Sequence, residues 1–340
     1  MTTTAIGDFF PTKWIYGDYE RSLFAGIVQQ VEQHFPDTNN VVFSLTWDGP
    51  QTLEAIERVP RPVDNLFLVA TVDPPTHRAA DYIKIMQPNT VYKLGNFDSP
   101  YEFNFFAIVC RDHFRHYETD DLILRELRWR YCAYNRKPYT HRVHMVRELV
   151  QQGLEPHGVI TLGRAFPGEP DHGLYRTIGE RNEDYVRWGH WYDEGGTSHD
   201  IPHDLFSLHN WTVWQHHFLH IIGCTEPFNE ADTYINQIHF KPLIGMRPFV
   251  INGQPKQYEY LRRNGFHTFE QYWPKFWKEH SYYSDNTLAL SIANLVKWLV
   301  SLSDQEVMAM YNDMLPQLIH NRNRWFEYAD QQKHRAGSLF

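Results

Sequence analysis

The residues best equipped for chemistry form one run, Asn135, Arg136, Lys137, Pro138, Tyr139, Thr140, His141 and Arg142. A β-prone stretch at 130–134 (RYCAY) precedes it. A helical pattern over 141–152 follows, with Val143, Val146, Leu149 and Val150 on its inner face. Thr140 is expected to cap that helix. A strand-to-helix turn offers backbone N–H groups and the positive end of the helix dipole, which together attract anions. Arg136, Lys137 and Arg142 add fixed cations, and Arg125, Arg128, Arg130 and Arg147 lie near in sequence. A phosphate or pyrophosphate suits such a turn. A solvated basic surface is the plainer alternative.

A second stretch, 234–253, reads as a polar helix start, Lys241-Pro242 within the helix, a stop at Gly245 and a buried strand from Pro248. Proline inside a helix costs about 3 kcal/mol unless a kink is wanted. Asn236, Gln237 and Lys241 could hold a ribose or a sugar from that helix start, and an ordinary kinked helix accounts equally well for the spacing. Two aspartates qualify as a general base beside an acceptor hydroxyl. Asp48 follows the apolar run 41–46 directly, and Asp18 sits in Tyr16-Gly17-Asp18. Either also reads as a turn aspartate bonded to its own backbone. His216, His217 and His220 (HHFLH) place two imidazoles four residues apart on a predicted helix. The glutamate of a zinc-protease motif is missing, and no third ligand is apparent. An aromatic packing face with Trp211, Trp214 and Phe218 is expected there instead of a metal site.

The elements that must position these groups alternate between strand and helix. Helical faces are expected at 21–35, 51–58, 119–129, 207–219, 234–245, 255–264, 286–301 and 304–330. Strands are expected at 41–46, 66–72, 90–95, 103–110, 130–134, 158–162, 220–224 and 248–251. Residues 163–205, rich in Gly, Pro, Asp and Arg, read as a long irregular connection. Such alternation implies α/β units with mainly parallel sheets. The pattern restarts near residue 120, which divides the chain into an N-terminal α/β domain (1–120), a C-terminal α/β domain (121–305) and a last helix (306–340) that could pack back on the first. Two such domains place ligands at the carboxyl ends of their strands.

At 340 residues the chain is long enough for two cores, and 42% hydrophobic with 21% charged residues describes a folded globular protein. No apolar run reaches the roughly 20 residues that span a bilayer. The N-terminus lacks a basic and then apolar secretory pattern. The three cysteines are widely spaced. A reducing cytoplasm is therefore the expected compartment. A net charge of −9 argues against a global polyanion partner, although Arg164, Arg176, Arg181 and Arg187 could form a local patch.

Two runs carry a resemblance. YNRKPYTHRVHMVRELVQQGL…GVITLG is similar to the LNRRPRPHR segment of a family of glycosyltransferases from bacteriophages and bacteria. YINQIHFKPLIGMRPFVINGQPKQYEYLRRNGFHTF is similar to that family's FITEKTFKPI…PFV…GF.TF segment. The resemblance covers about 126–275. It implies two Rossmann-like domains facing a GT-B-like cleft, the C-terminal one binding a UDP- or GDP-linked sugar and the N-terminal one facing the acceptor. It implies donor roles for Asn135, Arg136, His141, Arg142, Asn236, Gln237, Phe240 and Lys241, and the cation Lys137 in the same turn is expected to join them. Where the family has Thr-Glu-Lys this chain has Asn236-Gln237-Ile238, so either donor binding is altered or Glu226 carries part of the lost carboxylate's role. The leaving diphosphate needs cations or N–H donors. No strand-end Asp-x-Asp metal motif is evident, and the basic turn at 135–142 leads to the expectation that no metal is obligatory. The implied acceptor is a hydroxyl, such as a hydroxymethylated pyrimidine in phage DNA, a surface glycan or a small molecule. A nucleotide-binding relative without turnover is the reading that Gln237 favours. A phosphate-ester hydrolase is disfavoured, because no P-loop, nucleophile elbow or G-x-G-x-x-G run is present.

Overall fold

A computed structural model describes residues 2–6, 15–44, 56–59, 61–70, 83–95, 99–135, 138–165, 170–174, 208, 211–224, 235–277 and 285–340. The chain divides into two compact units. One holds Met1–His113, Asn229–Gln237 and Phe326–Phe340, and the other holds Phe114–Phe228 and Ile238–Trp325.

In the first unit β1 (Thr3–Ile6), β2 (Asn40–Ser44), β3 (Asn65–Ala70), β4 (Thr90–Gly95) and β5 (Tyr101–Glu102) form one sheet in chain order. Each neighbouring pair is parallel. Helix α1 (Ile15–His34) lies between β1 and β2 in the chain. Side chains alternate across a strand, so β2 and β3 feed two cores. Val41, Phe43, Leu66, Leu68 and Ala70 pack with Ile56, Val59, Val63 and Met86. Val42, Phe67 and Val69 pack with Phe24, Ile27 and Val31 of α1, and with Ala336 and Leu339. The Phe340 ring completes that second core, 5.3 Å from Phe35, 5.6 Å from Phe67 and 5.4 Å from Tyr101.

The apolar run 103–110, expected as a strand, is instead mostly helix. The strand stops at Glu102, and α2 spans Phe105–His113. Asn104 decides the switch. Its side-chain oxygen accepts the Ala107 N–H at 3.0 Å, which satisfies one donor of the helix's first turn. Its side-chain amide donates to Ile235 O at 2.8 Å, and its backbone N–H donates to Gln332 Oε1 at 2.9 Å. One buried asparagine thus ties together the three chain segments of this unit. Arg111 of α2 pairs with Asp330, adding a second tie to the C-terminal segment.

In the second unit β6 (Trp129–Asn135), β7 (Gly158–Leu162), β8 (His217–Gly223) and β9 (Phe249–Asn252) form a sheet ordered β7-β6-β8-β9. All its pairs are parallel. Its helices are α3 (Thr119–Leu122), α4 (Thr140–Gln151), α5 (Trp211–His216), α6 (Gln237–Ile244), α7 (Pro255–Arg263), α8 (Asp285–Ser301) and α9 (Asp304–Ala336). The α8 face Leu288, Ile292, Leu295, Val296 and Leu299 is buried, and α8 packs on α4. Three expectations change. The helix at 119–129 is a single turn that ends at an extended Ile123. Thr140 begins α4, and the residue before it, Tyr139, makes no side-chain cap bond. The helix expected to 219 ends at His216, because the fully buried β8 takes over at His217.

Asn104→Ala removes the α2 cap and strands the Ile235 carbonyl. The expected loss is about 2–3 kcal/mol, read as a lower urea midpoint at unchanged slope. A loss below about 0.5 kcal/mol would mean that the segments hold together without it.

Candidate functional site

The second sheet contains a reversal that the first lacks among the described residues. The chain leaves β6 for β7 on one side, and β8 then lies on the other side of β6. In parallel α/β sheets ligands bind beyond the carboxyl ends of the strands at such a switch point. Asn135 ends β6, Gly223 ends β8 and Asn252 ends β9.

The carbonyls of Gly223 and Cys224 leave the sheet at this edge. Arg142, on the first turn of α4, donates to Gly223 O at 2.6 Å and through Nε to Cys224 O at 3.1 Å. His141 Nε2 donates to the same Cys224 O at 2.8 Å. Burial pushes the His141 pKa down to about 3, and the neighbouring Arg142 charge acts in the same direction. His141 is therefore a neutral N–H donor at neutral pH. Arg142 also stands 4.9 Å from the Tyr139 ring, and the Tyr139 and His141 rings lie nearly parallel.

Two glycines make the edge possible by close approach. A Cβ on Gly223 would sit 2.3 Å from Asn135 Oδ1, and one on Gly253 would sit 2.5 Å from Cys224 Sγ. The Cys224 thiol donates to Gln257 Oε1 at 3.2 Å and lies 3.4 Å from His239 Nε2 on α6. Burial pushes that thiol up to about 12, so it stays protonated. Gln257 Oε1 also accepts the Gln254 N–H at 2.9 Å, which closes the start of α7.

Two buried acceptors point to a ligand. Asn135 Oδ1 and Asn252 Oδ1 are buried and have no hydrogen-bond partner among the described residues. Their amide nitrogens are used, by Ala133 O at 3.2 Å and His141 O at 3.2 Å. A stranded buried acceptor costs about 1–3 kcal/mol. Ligand hydroxyl or N–H groups would satisfy both oxygens, and the first turn of α4 suits an anion beside them.

Of the residues singled out in the sequence, Asn135, His141 and Arg142 come together at this edge. Arg142 turns its guanidinium onto main-chain carbonyls, so it serves the fold as well as any ligand. Lys241 is buried on α6, and Phe240 of the same helix packs against Trp325 with ring centroids 6.0 Å apart. Asn236 is buried just before α6. Arg136, Lys137, Asp48 and Glu226 lie outside the described residues. Asp18 and Gln237 lie in α1 and α6, with side chains outside the described set. Sequence reasoning missed Gly223, Cys224, Asn252 and Gln257. The readable trace was a glycine closing each of two apolar runs, in IIGC and VING.

No protein-family profile and no curated protein matches the chain. Among solved structures it is similar to a UDP-forming alpha,alpha-trehalose-phosphate synthase from Burkholderia xenovorans, at a TM-score of 0.30 and 11% identity, over 95% of this chain and 79% of that one. Among the described residues no helix is long and apolar enough to cross a membrane.

His141 sets a pH dependence. An unfolded imidazole takes a proton near 6.5, and folded His141 does so only near 3. Between those values the unfolded chain binds more protons, so stability falls as pH drops through the window and is fully present above it. His141→Gln, which keeps an N–H for Cys224 O, should flatten that slope in urea midpoints measured across the window. An unchanged slope would place the acid sensitivity elsewhere. Gly223→Ala should cost about 2 kcal/mol or more in the same assay, because the new methyl meets the Asn135 amide.

Proposed function

We propose that the protein is a nucleotide-sugar-dependent glycosyltransferase with a GT-B-like arrangement of two α/β domains. The observation that carries the reading is the pair of buried, unpartnered amide oxygens of Asn135 and Asn252 at the switch point of the second sheet. The sequence resemblance over 126–275 supports the same place, since it marks the turn after β6 and the start of α6 as donor-binding.

In this reading the donor's nucleoside diphosphate lies across the carboxyl edge of β6, β8 and β9. Asn135 and Asn252 accept hydrogens from ribose or base. The first turn of α4 and the cations Arg136, Lys137 and Arg142 are assigned to the diphosphate. Glu226, Asn236, Gln237, Phe240 and Lys241 are assigned to the rest of the donor. In the inverting form of the reaction the acceptor oxygen attacks the anomeric carbon, and its proton passes to a carboxylate. The bond from that carbon to the diphosphate breaks, and the diphosphate keeps the electron pair. Asp48, in the residues that follow β2 in sequence, is our first choice for the carboxylate and Asp18 our second. The acceptor we carry forward is a hydroxymethylated pyrimidine in DNA, on the resemblance alone. A surface glycan or a small hydroxylated molecule is the alternative.

Calorimetry against a panel of nucleoside diphosphates and their sugars tests the donor. We expect one nucleotide series to bind, with Asn135→Ala and Asn252→Ala each weakening it about tenfold, the loss of roughly one hydrogen bond. No heat with any of them at millimolar ligand would end the reading. Binding without transfer to DNA, glycan or small acceptors would favour a nucleotide-binding protein without turnover, the reading that Gln237 in place of the family's glutamate supports.

A further inference from the structure

A second polar cluster lies in the second unit, away from the carboxyl edge. Cys132 of β6 and His217 and His220 of β8 are all buried, and their ligand-capable atoms lie within 4.8 Å of one another. The strand register explains the meeting, since Cys132 sits directly across from His220. The sequence shows only the histidines, because the third group comes from a neighbouring strand far away in the chain.

The geometry is that of a ligand set. His217 Nδ1 lies 2.9 Å from Val213 O. Its Nδ1–H therefore donates to that carbonyl, and the lone pair is left on Nε2. A carbonyl that accepts from the far ring nitrogen commonly fixes the tautomer of a metal-bound histidine. His217 Nε2 lies 3.4 Å from His220 Nδ1. Two zinc–nitrogen bonds of about 2.0–2.1 Å at a tetrahedral angle hold their nitrogens about 3.4 Å apart. Trp214 packs against both imidazoles, 5.1 Å from His217 and 5.0 Å from His220. Its indole N–H is committed to Gly245 O at 2.9 Å, so it contributes only an apolar wall. Val159 and Val213 pack on the Cys132 side. Thiol and imidazole ligands select zinc(II) or copper(I) over magnesium or calcium.

We propose that Cys132, His217 and His220 bind a single zinc(II) or copper(I) ion that cross-links β6 and β8 at the centre of the second sheet. Binding breaks the Cys132 S–H bond and sends its proton to solvent. In the empty site the His220 proton sits on Nδ1 and faces His217 Nε2 at 3.4 Å. Binding through Nδ1 shifts that proton to Nε2, and no oxidation state changes. This site is independent of the proposed sugar-nucleotide site.

The test uses the full chain, made once in ordinary medium and once in cobalt-supplemented medium, with purification free of chelators and of histidine tags. We expect a single zinc or copper ion per chain after dialysis, and elemental analysis tells the two apart. The cobalt protein should show a thiolate-to-cobalt charge-transfer band. Cys132→Ser should abolish the band and His220→Gln should lose the metal. His216→Gln, whose imidazole lies 3.3 Å from the Glu126 carboxylate, should change neither. Should the Cys132 or His220 variant fail to fold, the parent protein decides. Metal well below one ion per chain, or stoichiometric cobalt with no thiolate band, overturns the proposal.

Discussion

The arrangement of the second unit depends on how the last carbonyls of a central parallel strand are satisfied. β8 is flanked on both sides, so its interior hydrogen bonds are supplied by β6 and β9. Its final carbonyls, on Gly223 and Cys224, extend past the ladder into a buried region. Leaving them unmet would cost about 1–3 kcal/mol each. Arg142 and His141 meet them, and both stand on the first turn of α4. The clamp therefore fixes where that helix begins, and with it the place where an anion would rest. The same bonds hold Arg142 beside Gly223, which is small enough to let the Asn135 amide lie over it.

Among the described residues Arg142 is one of three buried arginines that donate to main-chain carbonyls. Arg247 is fully buried and donates to Leu122 O at 2.7 Å, Trp214 O at 2.6 Å and Met246 O at 2.9 Å. Arg322 donates to Ile244 O at 3.0 Å and to Tyr117 O. Burial lowers the pKa of both. The guanidinium fork offers five N–H donors in a fixed plane, so one side chain can gather carbonyls from several chain segments. Lysine in these places would supply charge without the fork. Arg247 joins α3, α5 and the turn before β9, none of which could reach the others through backbone bonds alone.

Local pattern made some of this legible. β4 and β7 run over the residues their apolar runs mark, and the inner face of α8 follows directly from its helical spacing. Runs rich in phenylalanine misled. Residues 103–110 are as β-prone as any strand here, yet one asparagine with a partner more than a hundred residues away turns most of them into a helix. HHFLH failed for the opposite reason. Its periodicity suits a helix, but the second sheet needed a central strand there. The candidate site was half legible. Asn135, His141 and Arg142 lie in a run whose chemistry can be read from order alone. Asn252 and the Gly223–Cys224 carbonyls become relevant only once the strand order is known, and strand order is not a local property.

Helix α9 belongs to both units, with residues to Trp325 in one and from Phe326 in the other. Its far end and the residues beyond it, Ala336, Leu339 and Phe340, fill the core beneath the first strands of the chain. During synthesis domains usually fold from the N-terminus forward. Here the first sheet emerges early with one face covered in part by α1, and the rest of that face stays open until the residues around 340 have been made. The second unit, contiguous but for residues 229–237, has its parts earlier. The unit that is translated first is thus the one completed last, and a nascent chain leaves the Phe67 ring without its Phe340 neighbour until the residues near 340 emerge.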